Sequence, residues 1–148
     1  LLGWGVYGPV LHKGQVAMGG SRFRPLICIG IAYFLIAVLV PLALLQPLND
    51  KGSWSLVGVA WSPAAGSLGA IGALGTILAF ACGGKPFTVM PVVFGCAPVI
   101  NTLTTLSLSN TPTSALSPFF LAGILIVGVG AATVLTFGPR GQAVPKTA

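Results

Sequence analysis

Charged residues are scarce in this sequence, and acidic residues are almost absent. Of the 148 residues, seven are Lys or Arg and one is acidic, so that only 5% are charged, whereas an ordinary soluble domain has about 25%. A soluble fold of this length could not cover its surface with so few charges. Because 55% of the residues are hydrophobic and the mean hydropathy is +0.98, we expect membrane lipid to surround most of the chain. This composition excludes a soluble enzyme, a nucleic-acid-binding domain and a disordered tail.

The shortage of acids and the pattern of cysteines limit the chemistry further. The single acid, Asp50, lies between predicted membrane spans, so no carboxylate inside the membrane can exchange a proton for a cation. Catalysis by paired carboxylates is excluded for the same reason. The three cysteines, Cys28, Cys82 and Cys96, form no CxxC motif and lie in apolar runs, as small buried hydrophobic residues do. We therefore expect no enzyme activity, no metal site and no cofactor.

Long stretches without charge divide the chain into membrane spans. No charged residue occurs in residues 25–49, 52–84 or 86–139, and one spanning helix needs about 20 apolar residues. The last stretch is too long for one span, and the turn-forming run 109–114 divides it. The sequence thus predicts an all-α polytopic membrane protein. Its five transmembrane helices are expected at about residues 1–18, 26–46, 62–82, 87–107 and 117–137, and residues 138–148 form a short cytoplasmic tail.

Two of these helices have similar predicted starts. Ser62-Pro63 and Ser117-Pro118 each offer a Ser at the N-cap and a Pro at the first helical position, where the missing N–H has no consequence.

The first residue of the sequence is Leu1, where an initiator Met would be. We therefore expect a processed or partial chain.

The basic residues predict the orientation in the membrane. With five spans, six of the seven Lys and Arg residues fall on one side, and Lys51 alone falls on the other. Lys and Arg concentrate in cytoplasmic loops, so we expect a multi-pass protein of the cell membrane with a cytoplasmic C-terminus and an external N-terminus. The six residues are Lys13, Arg22, Arg24, Lys85, Arg140 and Lys146.

The fourth segment carries the strongest candidates for a transport pathway. Pro91 and Pro98 are seven residues apart and lie on nearly one helical face, which Asn101 and Thr105 extend. Each interior Pro removes a helical hydrogen bond, and a helix broken near the middle of the membrane is a recurrent element of transport sites. Alternatively, the prolines only bend a packed helix, and Asn101 bonds to a neighbouring helix. Both interpretations stay open, with Thr102 as a further candidate.

The third and fifth segments contain many glycines with helical spacing. Small residues four apart allow helix backbones to approach closely, so these positions predict packing faces rather than a binding site. Such close packing would also permit the sliding that a rocking transporter needs. The predicted packing positions are Gly66, Gly69, Gly72, Gly75 and Gly128.

The first segment offers an aromatic and a titratable candidate. Tyr7, Pro9 and His12 are candidates for the substrate pathway, and Gly8, Pro9 and His12 share one helical face. His12 is the one histidine in the chain. The alternative interpretation is that His12 and the adjacent Lys13 only extend to the lipid headgroups.

Short motifs with Gly and Pro follow one another in a defined order along the chain. They are Gly3-Trp4-Gly5 followed by Pro9, the run 69–76, the run 89–92 with its Pro, and the run 121–129. This order resembles one five-helix repeat of the EamA-like type in the drug/metabolite transporter superfamily, over nearly the whole chain.

The resemblance implies a transporter unit that moves a small-molecule substrate by alternating access. The start of the chain, with Trp4, Pro9 and Lys13, is similar to the sugar-uptake branch, so a neutral or anionic, sugar-like metabolite is implied. The chain departs from the family at residues 105–109, where many members have Gly-Glu. Family members have ten helices in two inverted repeats, or fewer helices that dimerise. A second five-helix repeat or chain is therefore the implied partner.

A non-transporting membrane subunit of a larger complex is the alternative function. The transporter hypothesis predicts that the polar candidates converge in a central cavity, whereas the subunit hypothesis predicts that dry helix contacts satisfy them. These candidates are Tyr7, His12, Asn101, Thr102 and Thr105.

Overall fold

The computed structural model describes residues 2–49, 51–109 and 116–139, and all regular structure in these ranges is helical. The helices are α1 (Leu2–Ala17), α2 (Arg24–Leu44), α3 (Leu56–Ala81), α4 (Pro86–Ser109) and α5 (Pro118–Phe137). Each of the five apolar segments in the sequence therefore contains one helix.

Four helices in the described ranges, rather than the expected five, are long and apolar enough to cross a membrane. These are α2, α3, α4 and α5. The described part of α1 has 16 residues and measures about 24 Å at 1.5 Å per residue. The hydrocarbon core of a bilayer is about 30 Å thick. The prediction of five full-length spans is thus wrong for the first segment, because its helix is too short.

The predicted start of α3 at Ser62-Pro63 is also wrong. The helix begins at Leu56, and Ser55 is its N-cap, with an extended backbone and a side-chain oxygen that accepts a hydrogen bond from the Gly58 N–H at 3.1 Å. Because this upstream cap is available and the following residues are apolar, the helix forms earlier and includes Pro63 in its interior. The start of α5 at Pro118 agrees with the sequence, although the Ser117 side chain makes no capping hydrogen bond.

The N-caps Ser55 and Ser117 differ in their hydrogen bonds, which predicts different effects on stability when each is replaced. We expect Ser55→Ala to lower the free energy of unfolding by about 1 kcal/mol, because the Gly58 N–H loses its acceptor. Ser117→Ala is the matched control and should change stability by only a few tenths of that amount, since Ser117 makes no side-chain cap bond. Unfolding of the purified protein in mixed micelles measures both. Equal losses from the two variants would contradict the assignment of the cap.

A π-helical segment interrupts the second span. Residues Phe34–Leu39 wind as a π-helix inside α2, and Pro41 lies two residues after this segment. In a regular α-helix the Pro41 ring would clash with the carbonyl of Ala37, four residues earlier. Local π winding is one way in which membrane helices accept Pro and keep their backbone groups bonded. The sequence contained the cause, Pro41, but we did not infer the π segment from it.

The chain consists of two compact units, residues 1–82 and 83–148. In the first unit α1 packs on α2 and α3, and α2 packs on α3. Gly19 and Gly20, with φ of 69° and 72°, form the turn after α1, and this left-handed backbone favours glycine. The second unit is a hairpin of α4 and α5.

Both units bury little of their apolar surface. The buried hydrophobic side chains are Leu11, Ile77, Phe80, Met90 and Ala131, whereas large apolar residues on every described helix are exposed. An apolar surface of this extent marks contact with a membrane or with other proteins. The outer faces of these helices are therefore suited to lipid.

Candidate functional site

The two helices of the α4–α5 hairpin approach each other closely at Gly95. A Cβ atom on Gly95 would lie 2.6 Å from the Cβ of Ala131, and one on Gly128 would lie 3.7 Å from Cγ2 of Val99. Only residues without a larger side chain allow the helices to come this close. Gly128, which the sequence singled out, lies in this contact. Gly95 was missed, although its position four residues before Val99 places both on one face of α4.

Helix α4 continues through both of its interior prolines. Pro91 and Pro98 lie within one α-helix of 24 residues, and both are exposed. The helix is therefore not broken at these positions, as a discontinuous transport helix would be. Membrane helices tolerate Pro where neighbouring groups or small local adjustments satisfy the backbone.

A groove with a mainly apolar lining lies where the end of α4 meets the start of α5. It has a volume of about 240 Å³, and its polar residues are Asn101, Thr102 and Thr105. Asn101 and Thr105 are exposed and Thr102 is half-buried. Leu106, Leu116 and Phe120 complete the lining. The Asn101 amide can both donate and accept hydrogen bonds, so the groove offers a neutral polar partner on an apolar hairpin.

In the first unit, a second polar pair lies at the contact of α1 with α3. The Gln15 side chain is 2% exposed, and its Nε2 donates a hydrogen bond to the carbonyl oxygen of Ile77 at 3.1 Å. The imidazole of His12 packs edge-on against the ring of Phe80, with 5.0 Å between the ring centroids. His12 Nδ1 and Gln15 Oε1 are both buried and have no hydrogen-bond partner. Sequence analysis missed Gln15, although its spacing of three from His12 places the two on one helical face.

The remaining candidates of α1 are more peripheral. Tyr7 is half-buried, contacts the ring of Trp4 at 5.7 Å between centroids and lines a small, mainly apolar groove. Pro9 and Lys13 are exposed. The buried residues of α1 are Gly8, Leu11 and Gln15, so Pro9 lies outside the buried face, although it was expected to share a face with Gly8.

The glycine face of α3 is open. Gly66, Gly69, Gly72 and Gly75 are exposed, and a Cβ atom added to any of them would have no neighbouring atom within 4 Å. Within the described part of the chain, no other helix uses this face. The prediction that this face packs against another helix therefore stays a prediction, and that helix would belong to a partner.

Residues suited to metals are sparse and scattered. No group of three or more His, Cys, Asp or Glu residues comes together in residues 2–49, 51–109 and 116–139. Cys28, Cys82 and Cys96 are free and exposed. The single acid, Asp50, and the tail residues Arg140 and Lys146 lie outside the described residues.

Comparison with known proteins identifies no relative of this chain. No family model, curated protein or solved structure matches this chain. The geometry of the helices and of the two polar sites is therefore the basis for a functional proposal, and the resemblance to an EamA-like repeat stays a prediction.

Proposed function

We propose that this chain is a transporter unit of the EamA-like five-helix type. It moves a small neutral or anionic metabolite, sugar-like in character, across the cell membrane by alternating access. The observation that carries the proposal is the groove on the α4–α5 hairpin, where Asn101, Thr102 and Thr105 lie together in a mainly apolar lining.

The polar residues of this groove would be unfavourable on a helix that contacts only lipid. An amide without a hydrogen-bond partner costs roughly 2–7 kcal/mol when it is moved from water to an apolar surrounding. Asn101 is exposed in the chain by itself, so in a membrane it needs a water-filled cavity, a ligand or another protein chain. A pathway for a polar solute provides such an environment and explains why the polar residues are grouped.

A non-transporting subunit would use the same surface differently. In that case a partner helix covers Asn101, and the open glycine face of α3 forms a second helix contact. Reconstitution of the full chain into vesicles, with a panel of radiolabelled sugars and sugar acids, separates the two functions. The transporter proposal expects saturable uptake of at least one solute, by the chain alone or with its partner repeat. Uptake of none in either preparation favours the subunit.

The proposed orientation does not depend on whether α1 crosses the membrane. His12 and Gln15 near the end of α1 contact Phe80 and Ile77 near the end of α3, so Lys13 lies at the end of the unit where α3 ends. Lys13 therefore stays with the cytoplasmic group in either case. We propose α1 as a fifth, short span, since a mismatch of several ångströms costs only fractions of a kcal/mol per ångström.

Thiol labelling tests this topology. In a variant that lacks the three native cysteines, Ser53→Cys should react with a membrane-impermeant reagent from outside the cell, whereas Ser21→Cys and Thr147→Cys should react only from inside. The reason is the six-to-one distribution of basic residues. Leu2→Cys, at an exposed position, reports separately on α1 and should react from outside. Labelling of Ser53→Cys from the cytoplasm would end the proposed orientation.

The proposed working unit contains a second five-helix repeat or chain of opposite orientation. Inverted repeats place the transport site between two halves related by an axis in the membrane plane. Two copies of this chain could adopt opposite orientations only if the basic loops of one copy crossed the membrane, and the charge bias opposes that. The open glycine face of α3 is the proposed contact surface.

Cross-linking in native membranes tests the partner. Gly69→Cys, on the open face of α3, should cross-link to a second chain or repeat, because small residues allow close helix contact. Leu125→Cys is the control, since Leu125 is exposed on the strongly apolar α5 and should face lipid. Full transport by this chain alone, in a preparation with one confirmed orientation, would contradict the need for a partner.

A further inference from the structure

Two exposed arginines lie where α2 begins, and a mainly apolar groove lies between α1 and α2 in the same unit. We propose that this surface binds one anionic phospholipid, with the headgroup phosphate at Arg22 and Arg24 and one acyl chain in the groove. Such a lipid is a partner of the chain whether or not the chain moves a solute. The inference therefore goes beyond the proposed function and does not rest on it.

The two arginines are close together and exposed. They are two residues apart, so their Cα atoms are at most about 7 Å from each other. Residues 2–49, 51–109 and 116–139 contain no acidic side chain, so no carboxylate side chain in the described part of the chain occupies these cations. Guanidinium groups bind phosphate oxygens through paired hydrogen bonds. This pair is therefore suited to a phosphate group.

The local backbone holds this pair at the level of the lipid headgroups. The Gly20 N–H donates to the carbonyl oxygen of Gln15 at 2.9 Å, and the Arg24 N–H donates to the hydroxyl oxygen of Ser21 at 3.3 Å. Helix α2 begins at Arg24 and is long and apolar enough to cross a membrane, so its first residue lies at the membrane boundary. Phe23 is 64% exposed, and an apolar ring at this level is favourable in a bilayer surface.

The groove runs along α1 on the side of α2. It has a volume of about 290 Å³, and its α1 residues extend over eight positions, which corresponds to about 12 Å along a helix. One leaflet contributes about 15 Å to the hydrocarbon core of a bilayer, so the groove follows most of the depth of a leaflet. The lining residues are Gly3, Val6, Tyr7, Val10, Leu11 and Ile29.

The separation between the arginines and the groove matches the dimensions of a phospholipid. Ile29 is the α2 residue of the groove. It follows Arg24 by five residues, which is a rise of about 7.5 Å in a helix. The headgroup region on each side of a bilayer is about 5–8 Å thick. A lipid whose phosphate contacts Arg24 therefore begins its acyl chains at the level of Ile29.

Other occupants use only one of the two features. A partner helix, about 10–12 Å across with its side chains, is too wide to enter this groove and brings no anion to the arginines. A free phosphate ion binds the arginines and leaves the groove open. Phosphatidylcholine fills the groove, but its choline cation balances its phosphate. An anionic phospholipid supplies both the charge and the chain.

Native mass spectrometry of the full chain, released from micelles, tests the headgroup site. We expect dipalmitoyl phosphatidylglycerol to bind about tenfold more tightly than dipalmitoyl phosphatidylcholine. Arg22→Gln should weaken phosphatidylglycerol binding about fivefold, and the double variant with Arg24→Gln about thirtyfold, because each arginine contributes separately to the attraction. Lys51→Gln is the control, since it removes one exposed charge from the loop after α2, and it should leave binding unchanged.

Two glycines of α1 provide a matched test of the groove. A Cβ atom on Gly3 or on Gly5 would have no neighbouring atom within 4 Å, so a larger side chain at either position disturbs no contact in the chain. Only Gly3 lines the groove. Gly3→Leu should weaken dipalmitoyl phosphatidylglycerol binding about threefold, because the end of the acyl chain loses van der Waals contacts. Gly5→Leu should leave it unchanged.

Several results would overturn the inference. Equal binding of the two lipids by the wild-type chain does so without any variant, and so does an equal loss from Lys51→Gln and Arg22→Gln. Displacement of phosphatidylglycerol by inorganic phosphate would assign the arginines to a free anion. Unchanged binding by Gly3→Leu would remove the acyl chain from the groove. Circular dichroism of each variant checks that its helices are retained, and the outcome of uptake assays does not bear on any of these results.

Discussion

Replacing Gly95 with Ala should destabilise the α4–α5 hairpin by about 2 kcal/mol relative to the same replacement at Gly69. At Gly95 the new Cβ would lie 2.6 Å from the Cβ of Ala131, which is closer than two carbon atoms pack. Both atoms are attached directly to helix backbones, so no side-chain rotation removes the overlap. The helices must move apart, and their other contacts loosen with them.

The Gly69→Ala variant is the control that separates the steric effect at Gly95 from the effect of helix propensity. Both substitutions replace Gly with Ala inside a helix and gain about the same helix propensity, roughly 1 kcal/mol. A Cβ at Gly69 has no neighbour within 4 Å, so only the propensity gain applies there. The free energy of unfolding of the purified chain in mixed micelles measures the difference. If Gly95→Ala is as stable as Gly69→Ala, the close approach at Ala131 does not hold the hairpin.

Replacing Asn101 with Leu should lower the initial rate of solute uptake about tenfold, while the amount of protein in the membrane changes less than about twofold. The reason is that the Asn101 amide lines the α4–α5 groove, where it offers both a donor and an acceptor to a passing solute. Leu keeps a similar volume and removes both. Uptake in vesicles is normalised to the protein level determined by immunoblotting.

Ser107→Leu is the control for Asn101→Leu. Ser107 is also an exposed polar residue of α4, but its hydroxyl donates to the carbonyl oxygen of Leu103 at 2.9 Å and does not line the groove. We expect this variant to retain most of the uptake. If Asn101→Leu reduces uptake and protein level to the same extent, the amide acts in helix contacts and the subunit function is favoured.

The bounds of α4 and α5 were predictable from the sequence within two residues. The length of an apolar run and the positions of the charges determine a span, and both can be read directly from the sequence. The Ser117-Pro118 start is a local signal. The start of α3 was not predictable from Ser62-Pro63, because an equally good cap at Ser55 lies upstream. Two local signals compete there, and the longer helix satisfies more backbone hydrogen bonds in an apolar environment.

The candidate site was predictable only in part. Asn101 and Thr105 were selected from their spacing and Thr102 as a further candidate, and all three line one groove. Gln15 was not selected, because a single polar residue near a helix end is usually exposed. Its burial depends on α3, which begins about forty residues later and supplies the carbonyl of Ile77.

By itself, the sequence determined that the protein is helical and suited to a membrane, since length, hydropathy and charge are properties of each segment alone. Only the tertiary structure decided which small residues are used in packing. Gly95 and Gly128 lie in a helix contact, whereas Gly66, Gly69, Gly72 and Gly75 meet nothing, although their local sequences look alike. The physical reason is that packing depends on the distance to a second helix, and that distance is set by residues such as Ala131 and Val99 that are remote in the chain.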